Sequence, residues 1–245
     1  MIPDLTVRDA HATELMDDPD CDRVLLARTY AQFPLVNAVV GGWRGVYRRE
    51  IRPRARHAPL RVLDVGCGGG DVARAIARWA RRDRLPIGIV AIDPDPRAIS
   101  WARRQRPMAA LTLRAVHSAA LVEERERFDV VISNHLLHHL AADQLAALLE
   151  DSRRLLAPGG IVLHRDIRRG RFAYFAFAVA TAPFPRMHRG RSFIRADGLT
   201  SIRRSYTNRE LSDAVPAGWA VRAAFPARLE LRREDDRDRR LRDRA

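Results

Sequence analysis

The sequence predicts an α/β fold, a mostly parallel sheet with helices on both faces, from three observations. First, short apolar runs at 60–65, 87–92, 111–116, 128–133 and 161–163 alternate with stretches of helical periodicity. Second, the run Val62-Leu63-Asp64-Val65 ends in Gly66-Cys67-Gly68-Gly69-Gly70 and leads into a helix carrying Val72, Ala75, Ile76, Trp79 and Ala80 on one face. Third, the second run closes on Asp93, 23 residues past Gly70, where an acid can meet the ribose hydroxyls of a nucleoside cofactor. Strand, glycine turn and helix together open a nucleotide-binding βαβ unit, in which free amides at the helix start face the ligand.

Taken in order, residues 1–20 are polar and proline-broken and read as a loose arm. Two helices are expected between Cys21 and Arg49. The second carries Val36, Val39, Val40, Trp43, Val46 and Tyr47 as one continuous face, weakened at Gly41 and Gly42 by roughly 1 kcal/mol each. Arg52 to Pro59 reads as a basic linker into strand one, 60–65, which is followed by a helix over 71–82. Strand two, 87–92, gives way to a helix capped by Asp95 with Pro96 at its first position. For Asp93 two readings stand side by side, a ribose partner and a helix cap.

Strand three, 111–116, runs into His117 and Ser118, and strand four, 128–133, runs into Asn134-His135-Leu136-Leu137-His138-His139. A helix over 143–156 buries Leu145, Leu148, Leu149, Leu155 and Leu156, is stopped by Pro158-Gly159-Gly160, and is followed by strand five at 161–163. Phe172 to Pro185 is almost wholly apolar, and a basic run continues to Arg204. A last helix starts near Thr207 or Asn208 with Glu210 near capping-box position, and two closing strands fit 219–224 and 227–231. The chain divides into an arm and helical cap (1–59), a main domain (60–232, with an insert at about 168–206) and a charged tail (233–245).

A chain of 245 residues suffices for one α/β domain. No window reaches the roughly 18 to 20 apolar residues of a membrane span, so none is expected. The acidic start is unlike a signal peptide, and Cys21 and Cys67 make a structural disulfide improbable, so a cytoplasmic setting is expected. The formal charge of +14 invites a nucleic-acid reading, yet every base is arginine and acids alternate with it on helix faces. Nor are aromatics interleaved with the arginines as a single-strand surface would need.

The glycine turn carries a family resemblance. A dinucleotide fingerprint would place its third glycine at Asp71. What stands here, Asp64-x-Gly66-x-Gly68-x-Gly70, resembles motif I of the class I S-adenosylmethionine (SAM) methyltransferases. The series Phe128-Asp-Val-Val-Ile-Ser-Asn134, Leu137-His-His-Leu140 and Leu155-Leu-Ala-Pro-Gly-Gly160 looks like the second half of the same fold, so the resemblance covers about residues 60–167. It implies a Rossmann-like, seven-stranded, mostly parallel sheet with an N-terminal helical cap and a helical insert after strand five. It also implies that SAM is held by Asp64, Gly66, Cys67, Gly68, Gly70, Asp93 and Pro94, with Ser118 and Asn134 completing the set. Family members often carry an acid where this chain offers His117 or Ser118, which leaves adenine recognition open.

Ligands in such sheets bind beyond the carboxyl ends of the strands, which puts His135, His138, His139, His164 and Asp166 around one crevice. Some natural-product O-methyltransferases use a histidine of a matching pair with an acid after strand five. By that resemblance His138 is the expected base, Asp166 its orienting acid, and His135 or His139 the alternates; each histidine could instead be structural. No metal site is expected. An N/D-P-P-Y turn after strand four and a placed cysteine nucleophile are both absent, which disfavours nucleic-acid methylation. The reading is therefore methyl transfer to a small aromatic or lipid-like acceptor, most simply the hydroxyl of a phenol, quinol or polyketide. Carbon methylation, an RNA substrate and a non-catalytic SAM binder are its rivals.

Overall fold

The computed structural model describes residues 3–188 and 190–235; the charged tail from 236 onward and Arg189 of the basic run lie outside these. The chain begins with a short turn of helix at Leu15–Asp17, then α1 (Arg23–Val40), α2 (Trp43–Val46), a π-helical turn at Tyr47–Ile51, and α3 (Arg52–Ala55). Strands and helices then alternate as β1 (Leu60–Val65), α4 (Asp71–Asp83), β2 (Ile87–Ile92), α5 (Pro96–Arg103), β3 (Leu111–Arg114), α6 (Ser118–Glu123), β4 (Phe128–Asn134), α7 (Ala142–Leu155) and β5 (Leu156–Ile167). Helices α8 (Arg171–Thr181), α9 (Ile194–Arg204) and α10 (Asn208–Ala214) precede β6 (Ala220–Ala224) and β7 (Arg228–Glu234).

The strands form one sheet in the order β3-β2-β1-β4-β5-β7-β6. All neighbours are parallel except β7, which runs antiparallel to both β5 and β6. Covered on both faces, the central strands are apolar on both sides of the pleat, which is why they read as continuous runs. Val62, Val130 and Leu163 face α2, α4 and α5, whereas Leu63, Val131 and Val162 face α6, α7 and α10. A third cluster joins Leu26 and Tyr30 of α1 to Ala98 of α5 and Phe193 before α9, and so closes the cap over the carboxyl edge of the sheet.

Several sequence expectations change. The arm is not loose. Arg8 Nε donates to the Arg204 carbonyl at 2.6 Å and Nη1 to the Tyr206 hydroxyl at 2.8 Å, while Arg169 donates to the carbonyls of Leu5 and Thr6. Groups far along the chain, backbone and side chain, thus supply the partners that hold the arm. The expected face from Val36 to Tyr47 is not continuous, because α1 ends at Val40 and Gly42 adopts a left-handed φ of +66° before α2. Its neighbour Gly41 has no room for a side chain, since a Cβ there would stand 2.5 Å from the Asn37 carbonyl.

The expected linker 52–59 opens as α3, and β3 stops at Arg114 rather than Val116. Pro158-Gly159-Gly160 does not form the helix stop; α7 already ends at Leu155 and the three residues lie inside β5. There the register against β4 shifts between Phe128 and Val130, and the extra length is taken up as a bulge. The buried face of α4 runs through Val72, Ala73, Ile76, Ala77 and Ala80, with Ala75 only half-buried. The expected caps are present: Asp95 accepts from the Arg97 amide, and Thr207 and Glu210 form a reciprocal capping box.

Candidate active site

The turn after β1 is set by backbone conformation. Gly66 and Gly68 sit at φ of +66° and +52°, which other residues adopt at a cost, and a Cβ on Gly66 would come within 2.9 Å of the Leu136 side chain. Cys67 donates its amide to the Ile92 carbonyl at 2.9 Å, so the turn lies against the end of β2. Asp93 reinforces this: one carboxylate oxygen accepts the Gly68 amide at 2.8 Å and the other the Asp95 amide at 2.9 Å. The acid is therefore both a clamp on the glycine turn and a lining residue of the cavity beside it.

Beneath the turn, Asp64 is 1% exposed, and its Oδ2 finds no hydrogen-bond partner among the described residues. Burial pushes its carboxyl well above the usual carboxylate range, aided by Asp71 and Asp93 and opposed by the Ala73 amide. Burial likewise raises Asp71 and Asp93. Asn37 of α1 donates to Asp71 at 2.9 Å and accepts from Asn134 of β4 at 3.2 Å, which ties the cap to the start of α4 and the end of β4. Three acids whose charge burial destabilises stand around the glycine turn, Asp71 and Asp93 lining the cavity and Asp64 buried behind it; they fit a ligand bearing a cationic amine and ribose hydroxyls, as SAM does. The orphaned Asp64 oxygen and the Gly66 bend are the features that make the fit specific.

A single cavity of about 580 Å³ joins this turn to a second chamber. Gly66, Cys67, Gly68, Asp93, Pro94 and Asn134 line it, as do Val36 and Val40 of α1, Phe172, Ala176 and Phe177 of α8, and Ile202 of α9. The volume lies within the range of about 300–1,000 Å³ common for small-molecule sites. Gly70 stands at the start of α4, at φ +74°. Ser118 is directed elsewhere, its hydroxyl donating to Asp151 of α7 at 2.6 Å.

The polar end of the cavity is built from the histidines after β4. His138 is 1% exposed, with Nδ1 at 2.7 Å from Asp166 Oδ1 and Nε2 at 3.2 Å from Glu14 Oε1. Burial works against its charge, but the two carboxylates outweigh burial and hold the imidazole up at about 9. Asp166 is held well below the usual range: burial opposes this, and His138 overcomes it. His139 is half-buried, with Nδ1 at 3.1 Å from Asp17 Oδ2 and Nε2 at 3.7 Å from Glu14 Oε1.

His135, at a left-handed φ of +56°, accepts from Arg228 Nη1 at 2.9 Å through Nε2, while Arg228 Nη2 donates to Asn134 Oδ1 at 2.7 Å. A guanidinium only donates, so the proton of His135 sits on Nδ1. Burial and Arg228 push its pKa well below the usual value. His164, expected at the crevice, is instead fully buried between Ser133 and Ser152, and burial lowers it to about 3. It faces the α7 side because alternate residues of β5 face opposite ways.

Three residues of this constellation were not legible. Glu14 and Asp17 lie in the arm, where no periodicity flags them. Arg228 is one arginine among many, and only the antiparallel pairing of β7 with β5 brings it beside His135.

Residues 62–160 match a family described as Methyltransferase domain. The ubiquinone biosynthesis O-methyltransferase of Methylocella silvestris is 34% identical over 145 residues, covering 56% of this chain and 53% of that protein. The enzyme of that name from Roseobacter denitrificans is 31% identical over 169 residues, covering 65% and 64%. The chain thus spans about half to two thirds of the length of these curated relatives. Among solved structures, the plantazolicin methyltransferase BpumL in complex with a triazolic desmethylPZN analog and SAH superposes with a TM-score of 0.57 at 11% identity, over 89% of this chain and 92% of that one. Human N-acetylserotonin methyltransferase in complex with SAM gives 0.59 at 14% identity, over 87% and 56%. The structural likenesses speak for the fold, and the sequence matches identify residues 62–160 as a class I SAM-dependent methyltransferase domain.

Proposed function

We propose that this chain transfers a methyl group from SAM to a hydroxyl of a small apolar aromatic acceptor of phenol, quinol or polyketide type. The observation that carries the reading is the single cavity that joins the glycine turn to an apolar chamber, with the Glu14–His138–His139 cluster at its polar end. When bound, SAM supplies an activated methyl on a sulfonium, so that one C–S bond breaks as one C–O bond forms and a neutral thioether leaves.

In this reading Asp64 meets the cofactor's amine, the backbone at Gly66, Cys67 and Gly68 lies along its chain, Asp93 and Pro94 border the ribose, and Asn134 closes the far side. Ser118 has no part, since its hydroxyl is engaged by Asp151. Helices α1, α8 and α9 hold the acceptor and exclude water, which gives the alignment an in-line displacement needs. His138 is occupied at both ring nitrogens, so it acts as a strut for Glu14 rather than as the group that meets the acceptor. The cluster as a whole receives the acceptor's proton, with His139 as its more exposed edge. The shape and lining favour a small molecule over RNA. Many arginines are also spent inside the chain, as Arg8, Arg97 and Arg169 are on its own carbonyls.

The test is calorimetry with SAM, SAH and NAD, followed by transfer of labelled methyl from SAM to a panel of alkylated phenols and quinols and to total tRNA. Binding of SAM and SAH but not NAD, with label in a phenolic ether, is the expected result. No SAM binding, or label in tRNA alone, would overturn the reading.

A further inference from the structure

We propose that Glu14, His138 and His139 form a binding site for one first-row divalent cation at the polar end of the cavity. No metal site is expected from the sequence, and one of the three residues, Glu14, lies in the arm. One donor atom of each residue lies within 4.8 Å of the others, and all three residues line the cavity. Metal–nitrogen and metal–oxygen bonds of about 2.0–2.2 Å set neighbouring donors about 3.0–3.5 Å apart. Glu14 Oε1 already stands 3.2 Å from His138 Nε2 and 3.7 Å from His139 Nε2, so a small shift of the half-buried His139 completes the set.

The second observation is the hydrogen bonding behind each ring. His138 Nδ1 is 2.7 Å from Asp166 and His139 Nδ1 is 3.1 Å from Asp17. A carboxylate only accepts, so each ring carries a proton on Nδ1, which turns each Nε2 toward Glu14. Carboxylates holding the far nitrogens of two imidazoles are the usual support of metal-binding histidines. In front, the two Nε2 atoms and a carboxylate oxygen converge; in the metal-free protein a hydrogen bond links only His138 and Glu14 among them. A proton can join Glu14 to one imidazole; a divalent ion satisfies all three donors at once. The Ser201 hydroxyl, 2.8 Å from Glu14 Oε1, and the Arg204 guanidinium, 3.9 Å from it, are the other polar neighbours.

Two imidazoles and one carboxylate suit Zn²⁺, Fe²⁺, Mn²⁺ or Co²⁺ rather than the all-oxygen preference of Mg²⁺ or Ca²⁺. Three protein ligands leave positions open toward the cavity. On the proposed function, that is where an acceptor hydroxyl would bind and become more acidic.

The experiment uses the untagged full chain, stripped with chelator and titrated with Co²⁺ by visible absorption and calorimetry. One Co²⁺ per chain, displaced by Zn²⁺, is expected. His139→Ala and Glu14→Gln should weaken Co²⁺ binding at least about 10-fold, and Asp17→Asn, which removes only the carboxylate behind His139, by about 10- to 100-fold. Circular dichroism and SAH binding check that each variant is folded; Asp17→Asn, at the half-exposed edge, serves if the others unfold. Absent cobalt absorption, or an affinity untouched by all three changes, would overturn the site and leave a shared proton in its place. SAH binding and full turnover in EDTA would overturn the metal while sparing the proposed function. Cobalt binding without SAH binding would do the reverse.

Discussion

Asp166 holds His138 twice: its Oδ1 lies 2.7 Å from the ring Nδ1, and its Oδ2 accepts the His138 amide at 2.9 Å. One carboxylate therefore fixes both the backbone and the ring, and the opposite face of that ring meets Glu14. His138→Ala should lower stability by about 3–5 kcal/mol, because Asp166 and Glu14 would be left buried without their shared partner. Urea denaturation checks this. A loss below about 1 kcal/mol would show that water replaces the ring.

His139→Ala should leave SAH affinity within about twofold while lowering turnover of a phenolic acceptor by about 10²–10⁴, the usual range for a lost proton-transfer group. Calorimetry and initial rates separate the two effects. Unchanged rates between pH 6 and 9 would make the cluster purely structural.

Gly66→Val should abolish SAM and SAH binding. A β-branched residue at φ +66° costs about 1–3 kcal/mol, and its Cβ would press on Leu136 at 2.9 Å. Calorimetry on a variant with parental circular dichroism is the measurement. Retained affinity would mean that the ligand does not approach this backbone.

For Asp93, two substitutions separate clamp from contact. Asp93→Ala removes the partners of the Gly68 and Asp95 amides, so it should both lower the melting temperature and weaken SAM binding. Asp93→Asn retains an acceptor oxygen for one of those amides, so it should recover part of the stability while SAM affinity stays reduced. Full recovery of both would reduce the acid to a clamp.

Asp64, Asp71 and Asp93 all have carboxyls raised by burial in the ligand-free protein. In the window between the usual carboxylate pKa and these raised values, the folded state binds more protons than the unfolded chain. Their contribution to stability is therefore fully present below the unfolded pKa and lost as pH rises through the folded values. A cationic ligand favours the ionised acids, so SAM binding should strengthen with rising pH across the same window and release protons. Calorimetry in buffers of different ionisation enthalpy detects that release; none would mean that the acids do not meet the ligand.

The sheet was legible because strand, turn and helix signals are local. Runs such as Val62-Leu63-Asp64-Val65 are buried on both faces in this fold, and the glycines and Asp93 mark a bend whose conformation few other residues accept. The helix caps at Asp95 and Thr207 were legible for the same reason, since each spans only two or three residues. The order of the histidines after β4 marked the region of the site, but not which ring would face the cavity.

What only the tertiary structure decided is the set of partners around those rings. Glu14 reaches His138 across 124 positions and Arg228 reaches His135 across 93, and neither separation leaves a periodic trace in the sequence. The arm looked loose because its own residues bury little; it is held instead by Arg8 and Arg169 against carbonyls on the opposite side of the partnership. The sequence alone determined the fold and the cofactor turn, because local conformation and burial dictate them. The charge balance of the polar pocket, and hence its chemistry, was decided by folding, because electrostatic neighbours are chosen by distance in space rather than along the chain.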